Sequence, residues 1–260
     1  MLIVVSPAKS LDYESPLPTR KHSDARMLDQ AAELVAVMRT KSPDELAAMM
    51  SISPTLAELN FERFQDWQPP FTPADARPAV LAFNGDTYIG LDAATFSERD
   101  FTHAQKTLRI LSGLYGVLRP LDLIAPYRLE MGSRLDTAHG STLVEFWGDE
   151  ITKVLAADLE ASPGADILVN LASNEYFSAV RPDQLDARIV TPAFLDAKPG
   201  AEPKMISFFA KRARGAMAGW IVRERIKSAK ALVEFDGDGY RYDAGRSTAD
   251  RPVFVRSHAG

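Results

Sequence analysis

Three cations, Lys106, Arg109 and Arg119, flank a Ser112-Gly113-Leu114-Tyr115-Gly116 turn. Two glycines three apart permit backbone conformations that a side chain forbids, and they let a ligand or a second backbone approach closely. Main-chain amides and cations aimed at one point would suit an anion, a phosphate above all. The stretch around them, Lys106 to Gly132, reads as the end of an apolar helix, a tight hairpin and a second short apolar element.

A second concentration of charge lies between Lys204 and Lys230. It holds eight Lys or Arg residues and one acid, Glu224, so it carries +7 in a chain of net charge −5, and the remainder carries −12. Such asymmetry speaks to partners rather than to fold. A helix beginning near Phe208 would put Phe209, Ala213, Ala216 and Trp220 on one side and Lys211, Arg214 and Arg225 on the other. A buried apolar face with a cationic outer face suits a polyanion or a phosphate-bearing ligand. A merely solvated basic face is the alternative.

Polar clusters follow two buried strands. Leu2 to Val5 is β-rich and ends at Ser6-Pro7, which puts Lys9 and Asp12 just past its carboxyl end. Ile167 to Leu171 ends in Ala172-Ser173-Asn174-Glu175-Tyr176. Ligands of open α/β sheets bind at that edge. The clusters Ser6 to Asp12, Asn170 to Tyr176 and Lys211 to Arg214 are therefore expected to converge on one rim. Holding a phosphate backbone does not require Asp12, Glu130, Asn170, Ser173 or Glu175. Acids inside a basic cleft usually mean a poised acid, base or metal ligand, or an orienting salt bridge. No Walker loop, nucleophile elbow or GxGxxG fixes a reaction.

The elements that position these residues can be taken in order. From Asp24, apolar residues recur at Leu28, Ala31, Ala32, Val35 and Met38, an amphipathic helix. Ser42-Pro43-Asp44-Glu45 is a complete helix start. Ser53-Pro54 opens another helix, with Leu56, Leu59, Phe64 and Trp67 on its apolar side. This helical subdomain, about 24–67, is scaffold. Ala79 to Phe83 reads as a strand, followed by an Asn84-Gly85 turn with Asp86 and Tyr88 at a sheet rim. Ser97-x-x-Asp100 caps a helix that buries Phe101, Ala104, Leu108 and Leu111 and leaves Lys106 and Arg109 free. Tyr127 to Glu130 reads as a short strand. Thr142-x-x-Glu145 caps a helix burying Phe146, Trp147, Ile151, Val154 and Leu155. Ile189 to Leu195, Met205 to Phe209, Tyr240 to Tyr242 and Val253 to Arg256 are further strand candidates.

With 260 residues, ordinary apolar and charged fractions and no cysteine, the chain reads as a globular protein without disulfides or thiolate metal sites. The four histidines, His22, His103, His139 and His258, are scattered, so neither a metal site nor a cofactor is expected. The N-terminal apolar run is too short for a signal peptide, and no run approaches the roughly 20 apolar residues of a membrane helix. A cytoplasmic monomer with no membrane contact is expected.

Four segments, MLIVVSPAKSLDY, LSGLYGVLRPLDLIAPYRLEMG, NLASNEYF and ISFFAKRARG, resemble the YaaA family of bacterial peroxide-stress proteins, nearly end to end. The resemblance implies a cytoplasmic protein of the oxidative-stress response that helps limit intracellular free iron. It implies one mixed α/β (α+β) domain over 1–260, with a central mixed sheet, surrounding helices and a helix-hairpin-helix element at about 97–125. The hairpin would fall on Leu111 to Val117, with Lys106, Ser112, Gly113, Tyr115 and Gly116 at the phosphate. It also implies double-stranded DNA binding through a positive cleft drawing on Lys9, Arg109, Arg119, Arg128, Lys211, Arg212 and Arg214. Asn84 departs from the pattern, where a Lys before Gly-Asp is expected. Such elements grip phosphates and read little sequence. The competing expectation is a nucleotide- or nucleic-acid-modifying enzyme, with Lys9 and Arg214 on phosphate and a carboxylate as base. Direct iron binding has little support without clustered His, Cys or Glu-x-x-His.

Overall fold

In the computed structural model, which describes residues 1–198 and 200–257, a five-stranded sheet runs through the centre of the molecule. Its strands are β1 (Leu2–Val5), β2 (Leu108–Ser112), β3 (Gly116–Leu118), β4 (Ile167–Leu171) and β5 (Arg188–Val190). The spatial order is β5-β4-β1-β2-β3; the first four run parallel and β3 returns antiparallel. The apolar run of β1 is buried at every position because it occupies the middle of a sheet covered on both faces. A second sheet combines β6 (Ala193–Ala197), β7 (Arg241–Tyr242) and β8 (Val253–Ser257). The fold is a single mixed α/β domain whose buried apolar residues form one continuous core.

Capping signals in the sequence translate directly into helix starts. Helices α1 (Leu28–Met38), α2 (Pro43–Met50) and α3 (Pro54–Asp66) form the predicted scaffold. Ser42 closes a full capping box, as do Ser97 before α5 (Glu98–Thr107) and Thr142 before α6 (Leu143–Trp147). Ile151, Val154 and Leu155 belong to a separate helix, α7 (Glu150–Ala161). In α3 the buried residues are Ala57, Asn60 and Phe64, while Leu56 and Leu59 are exposed.

The Lys106 to Gly132 stretch differs from its sequence reading. Helix α5 ends at Thr107, four residues short of Leu111, and the chain continues as β2, a turn, β3 and a short strand Asp122–Ile124. The segment expected as a helix-hairpin-helix is thus a helix followed by strands. Leu108-Arg109-Ile110-Leu111 is too short for periodicity to separate helix from buried strand. Pairing with β1, Ile3 opposite Leu108 and Val5 opposite Ile110, decides the matter.

Smaller differences have the same origin. Ala79–Ala82 is one helical turn rather than a strand. Tyr127 to Glu130 is irregular. Ile189 to Leu195 divides between β5 and β6, in different sheets. Met205 to Phe209 leads into the long cationic helix α8 (Ser207–Glu224) instead of forming a strand.

Helix α8 has 18 residues and spans about 27 Å at 1.5 Å per residue. It packs most extensively on the short helix α4 (Asp86–Leu91). Glycines make this contact possible. A β-carbon at Gly215 would overlap the Thr87 carbonyl, one at Gly90 would overlap the Arg212 carbonyl, and one at Gly219 would lie 2.6 Å from the Leu91 oxygen. Backbone therefore meets backbone along the crossing.

Candidate functional site

Beyond the carboxyl ends of β1 and β4 the chain encloses a cleft of about 330 Å³. Four segments supply its walls: the Ser6–Ser10 loop after β1, Asn84–Thr87 at the start of α4, Ser173 with Glu175 and Tyr176 of the one-turn helix Asn174–Phe177 after β4, and Lys211 with Arg214 from α8. Glu130 closes one side. The three polar clusters singled out in the sequence do meet on one rim.

Hydrogen bonds fix the floor. The Ser173 amide donates to Ser6 Oγ at 2.8 Å, and the two hydroxyl oxygens lie 3.3 Å apart, so the loops after β1 and β4 are tied together. Tyr88 donates its hydroxyl to the Ser6 carbonyl at 3.1 Å, and burial pushes the phenol well above its ordinary pKa. Burial likewise raises Tyr176, which lines the cleft. Both phenols are neutral donors at physiological pH.

The charged groups divide into spent and unspent. Glu130 holds Lys9 at 2.6 Å and Arg128 at 3.0 Å. Glu175 accepts the Gly132 amide at 3.0 Å. Arg214 is different: among the described residues it has neither an ion pair nor a hydrogen-bond partner, and burial alone draws its pKa below the ordinary guanidinium value. A guanidinium nonetheless stays protonated. Arg214 is thus a desolvated cation without a counter-charge, facing a cavity. Lys211, one turn earlier and exposed, also lacks an ion pair among the described residues. A carboxylate, Asp86, lines the same cleft. The lining holds three cations and three carboxylates, and two of the cations are free to take an anion.

Other residues expected at the site lie elsewhere. Asp12 accepts the Glu14 and Ser15 amides at 3.0 and 2.9 Å, and its hydrogen bonds, chiefly from Ser15, hold its carboxyl down at about 2. It shapes a turn. Asn170 is buried and accepts the Ala172 amide at 3.0 Å. Arg212 turns away to Asp238 at 3.1 Å. Arg128 reaches the cleft only through Glu130.

The Ser112–Gly116 hairpin is part of the core. Ser112 Oγ accepts the Tyr115 amide at 2.9 Å and lies 2.6 Å from the Tyr127 hydroxyl. The buried Tyr115 hydroxyl receives Trp67 Nε1 at 2.8 Å and the Ala125 amide at 3.1 Å. Trp147 donates to the Gly113 carbonyl at 3.0 Å, and a β-carbon at Gly113 would overlap the Leu129 carbonyl. Gly116 has φ +65 and abuts Met27 and Trp147. These glycines admit other parts of the protein, not a ligand. Arg109 is buried against Asp158 at 2.6 Å, which Arg26 shares at 2.7 Å; Arg119 pairs with Asp122 at 2.8 Å. Lys106 lies outside the cleft, lining a different cavity.

Sequence reasoning left the α4–α8 glycine contact unread. Its signal was present: Gly215-x-x-x-Gly219 places two small residues on one helix face, with Gly90 on the partner. That contact sets α8 against the Asn84–Thr87 wall and brings Lys211 and Arg214 to the cleft.

Comparison with known proteins agrees with the sequence segments quoted above. A family profile described as peroxide stress protein YaaA matches residues 1–246. The chain is 56% identical over 257 residues to the UPF0246 protein IL2146 of Idiomarina loihiensis, covering 99% of each chain. It is 52% identical over 256 residues to a UPF0246 protein of Teredinibacter turnerae, covering 98% of this chain and 99% of that one.

Proposed function

The chain belongs to the YaaA family of peroxide stress proteins, and from this we propose that it serves the peroxide response by binding double-stranded DNA across the mouth of the cleft. The observation that carries this reading is Arg214, a desolvated cation with no partner among the described residues, aimed with Lys211 into a cavity. A cleft of about 330 Å³ takes one phosphate with its sugar, not a duplex. The duplex would lie over the rim, with one backbone phosphate engaged by Arg214 and Lys211 and a neighbouring one reached by the exposed Lys9, which Glu130 holds at the cleft mouth. The buried hairpin takes no part. Contacts of this kind position the backbone and read little sequence. Covering DNA would limit iron-dependent damage without the protein holding iron. Among the described residues no group of three or more His, Asp or Glu is placed to hold a metal ion, and no helix is long and apolar enough to cross a membrane. We place this activity in the cytoplasm and assign it to a monomer. Titrating duplexes of unrelated sequence at two salt concentrations tests it. Affinity that barely responds to salt, or that demands one sequence, would overturn it.

One observation favours a second reading, a nucleotide- or nucleic-acid-modifying enzyme. Glu130, Glu175 and Asp86 share the cleft with the cations, and gripping a backbone needs none of them. Here Arg214 would hold the phosphate of a small ligand and a carboxylate would act as base. Thermal-shift titrations with nucleotides, with and without divalent metals, separate the readings. Sub-millimolar stabilisation lost in Arg214→Gln favours the enzyme.

A further inference from the structure

The cationic helix has two ends, and they serve different places. Lys211 and Arg214, in its first half, face the cleft beyond the carboxyl end of β1. Arg225 caps its last turn in the left-handed conformation, φ +56, and with Lys227 lines another cavity, of about 400 Å³. Helix α5 contributes His103 and Lys106 to the same cavity. The cavity lies at the amino end of β1: the α-amino group of Met1 donates to the carbonyl of Pro163, one of the lining residues, at 2.8 Å. The two cavities thus sit at opposite ends of the parallel strands.

Among the described residues one carboxylate pairs with these cations. Asp100 takes Arg225 at 2.6 Å, and although burial opposes it, the Ser97 and Arg225 hydrogen bonds hold that carboxyl at about 2. Lys106 and Lys227 have no ion pair among the described residues. His103 feels the surplus. Burial first, then Arg225, Lys227 and Lys106, lower its pKa below the ordinary imidazole value, and Asp100 offsets this only in part. The cavity is lined by three cations, Lys106 of α5 and Arg225 and Lys227 of the segment that follows α8, while the acid paired with one of them, Asp100, lies on α5 outside the lining. Like charges held together by the fold repel one another, and a multiply charged anion relieves that repulsion.

We propose that this cavity is a second anion site, which takes a phosphate-bearing ligand of two or more charges between Lys106, Lys227 and Arg225. It does not depend on the reading of the cleft. Nucleotides and nucleic-acid backbones present the same chemistry to it.

The test follows the His103 ring by NMR in the full chain, its signals assigned with His103→Gln, during titration with inorganic pyrophosphate against sodium chloride of equal ionic strength. The site predicts a saturable shift with Kd on the order of 1 mM or tighter and a rise in the His103 pKa. It predicts at least about a tenfold weakening in Lys106→Gln with Lys227→Gln, and no change in Arg214→Gln. Both lysines are exposed, so that variant should fold. A shift reproduced by chloride, one unchanged in the lysine variant, or one lost in Arg214→Gln would overturn the proposal. A short duplex that competes with pyrophosphate assigns the site to a nucleic-acid backbone; one that does not assigns it to a free phosphate ester.

Discussion

Gly215 of α8 rests directly on Thr87 of α4, so closely that a β-carbon at Gly215 would overlap the Thr87 carbonyl oxygen. The candidate cleft depends on that contact, because it brings Lys211 and Arg214 to the cleft beside the Asn84–Thr87 wall. Gly215→Ala must push the helices apart and should cost about 3 kcal/mol, the upper part of the overpacking range. Gly245→Ala, where the added carbon finds ordinary contact at 3.4 Å, serves as the control and should stay within about 0.5 kcal/mol. Urea unfolding of both variants reads the difference.

Arg109 was expected at a ligand and is instead a buried partner of Asp158. Asp158→Asn leaves that guanidinium without its counter-charge and should destabilise by about 3–5 kcal/mol. The pH dependence has a definite sign. Hydrogen bonds from Arg26 and Arg109 outweigh burial and hold the Asp158 carboxyl below its usual value. Its contribution is therefore complete above about pH 4, the unfolded carboxylate pKa, and is lost as pH falls through the lower folded value. Acid unfolding of the wild type against Asp158→Asn should converge once the pH has fallen below that lowered folded value.

Tyr115 separates a structural hairpin from a binding one. Tyr115→Phe leaves Trp67 Nε1 and the Ala125 amide without their buried acceptor and should cost about 1–3 kcal/mol. Duplex affinity measured well below the melting temperature should not change. A selective loss of affinity with unchanged stability would return the hairpin to the ligand.

What the sequence made legible was the local chemistry of element starts and strand ends. The Ser42, Ser97 and Thr142 capping boxes, the buried runs of β1 and β4 and the start of α8 near Phe208 follow from adjacent residues. So does the meeting of the Ser6, Ser173 and Lys211 clusters, because parallel strands place their carboxyl ends together. The hairpin failed for a non-local reason. Leu108 to Leu111 becomes a strand by pairing with β1, and the glycines near it are filled by Met27, Trp147 and Leu129, from distant parts of the chain. Charge was legible as a total but not as a distribution: Arg212 and Arg225 are paired with Asp238 and Asp100, and only the fold reveals which cations remain free.

Glu130 restrains Lys9 and Arg128 at the cleft mouth. In Glu130→Gln both cations are released and a carboxylate is removed from the anion's path. Duplex affinity at low salt should rise by about two- to fivefold, the scale of a partly exposed ion pair. Fluorescence anisotropy checks it. A fall in affinity would mean that Glu130 orients Lys9 toward the backbone rather than withholding it.

Lys211 and Arg214 decide whether the cleft binds DNA. Duplex affinity should be measured across a salt series for the wild type and for Lys211→Glu combined with Arg214→Glu, with melting curves to show that both are folded. The prediction is at least about a tenfold loss of affinity, with the slope of log affinity against log salt reduced by about one, for the one phosphate these two cations share. Unchanged affinity and slope in a folded double variant would remove the cleft from DNA binding.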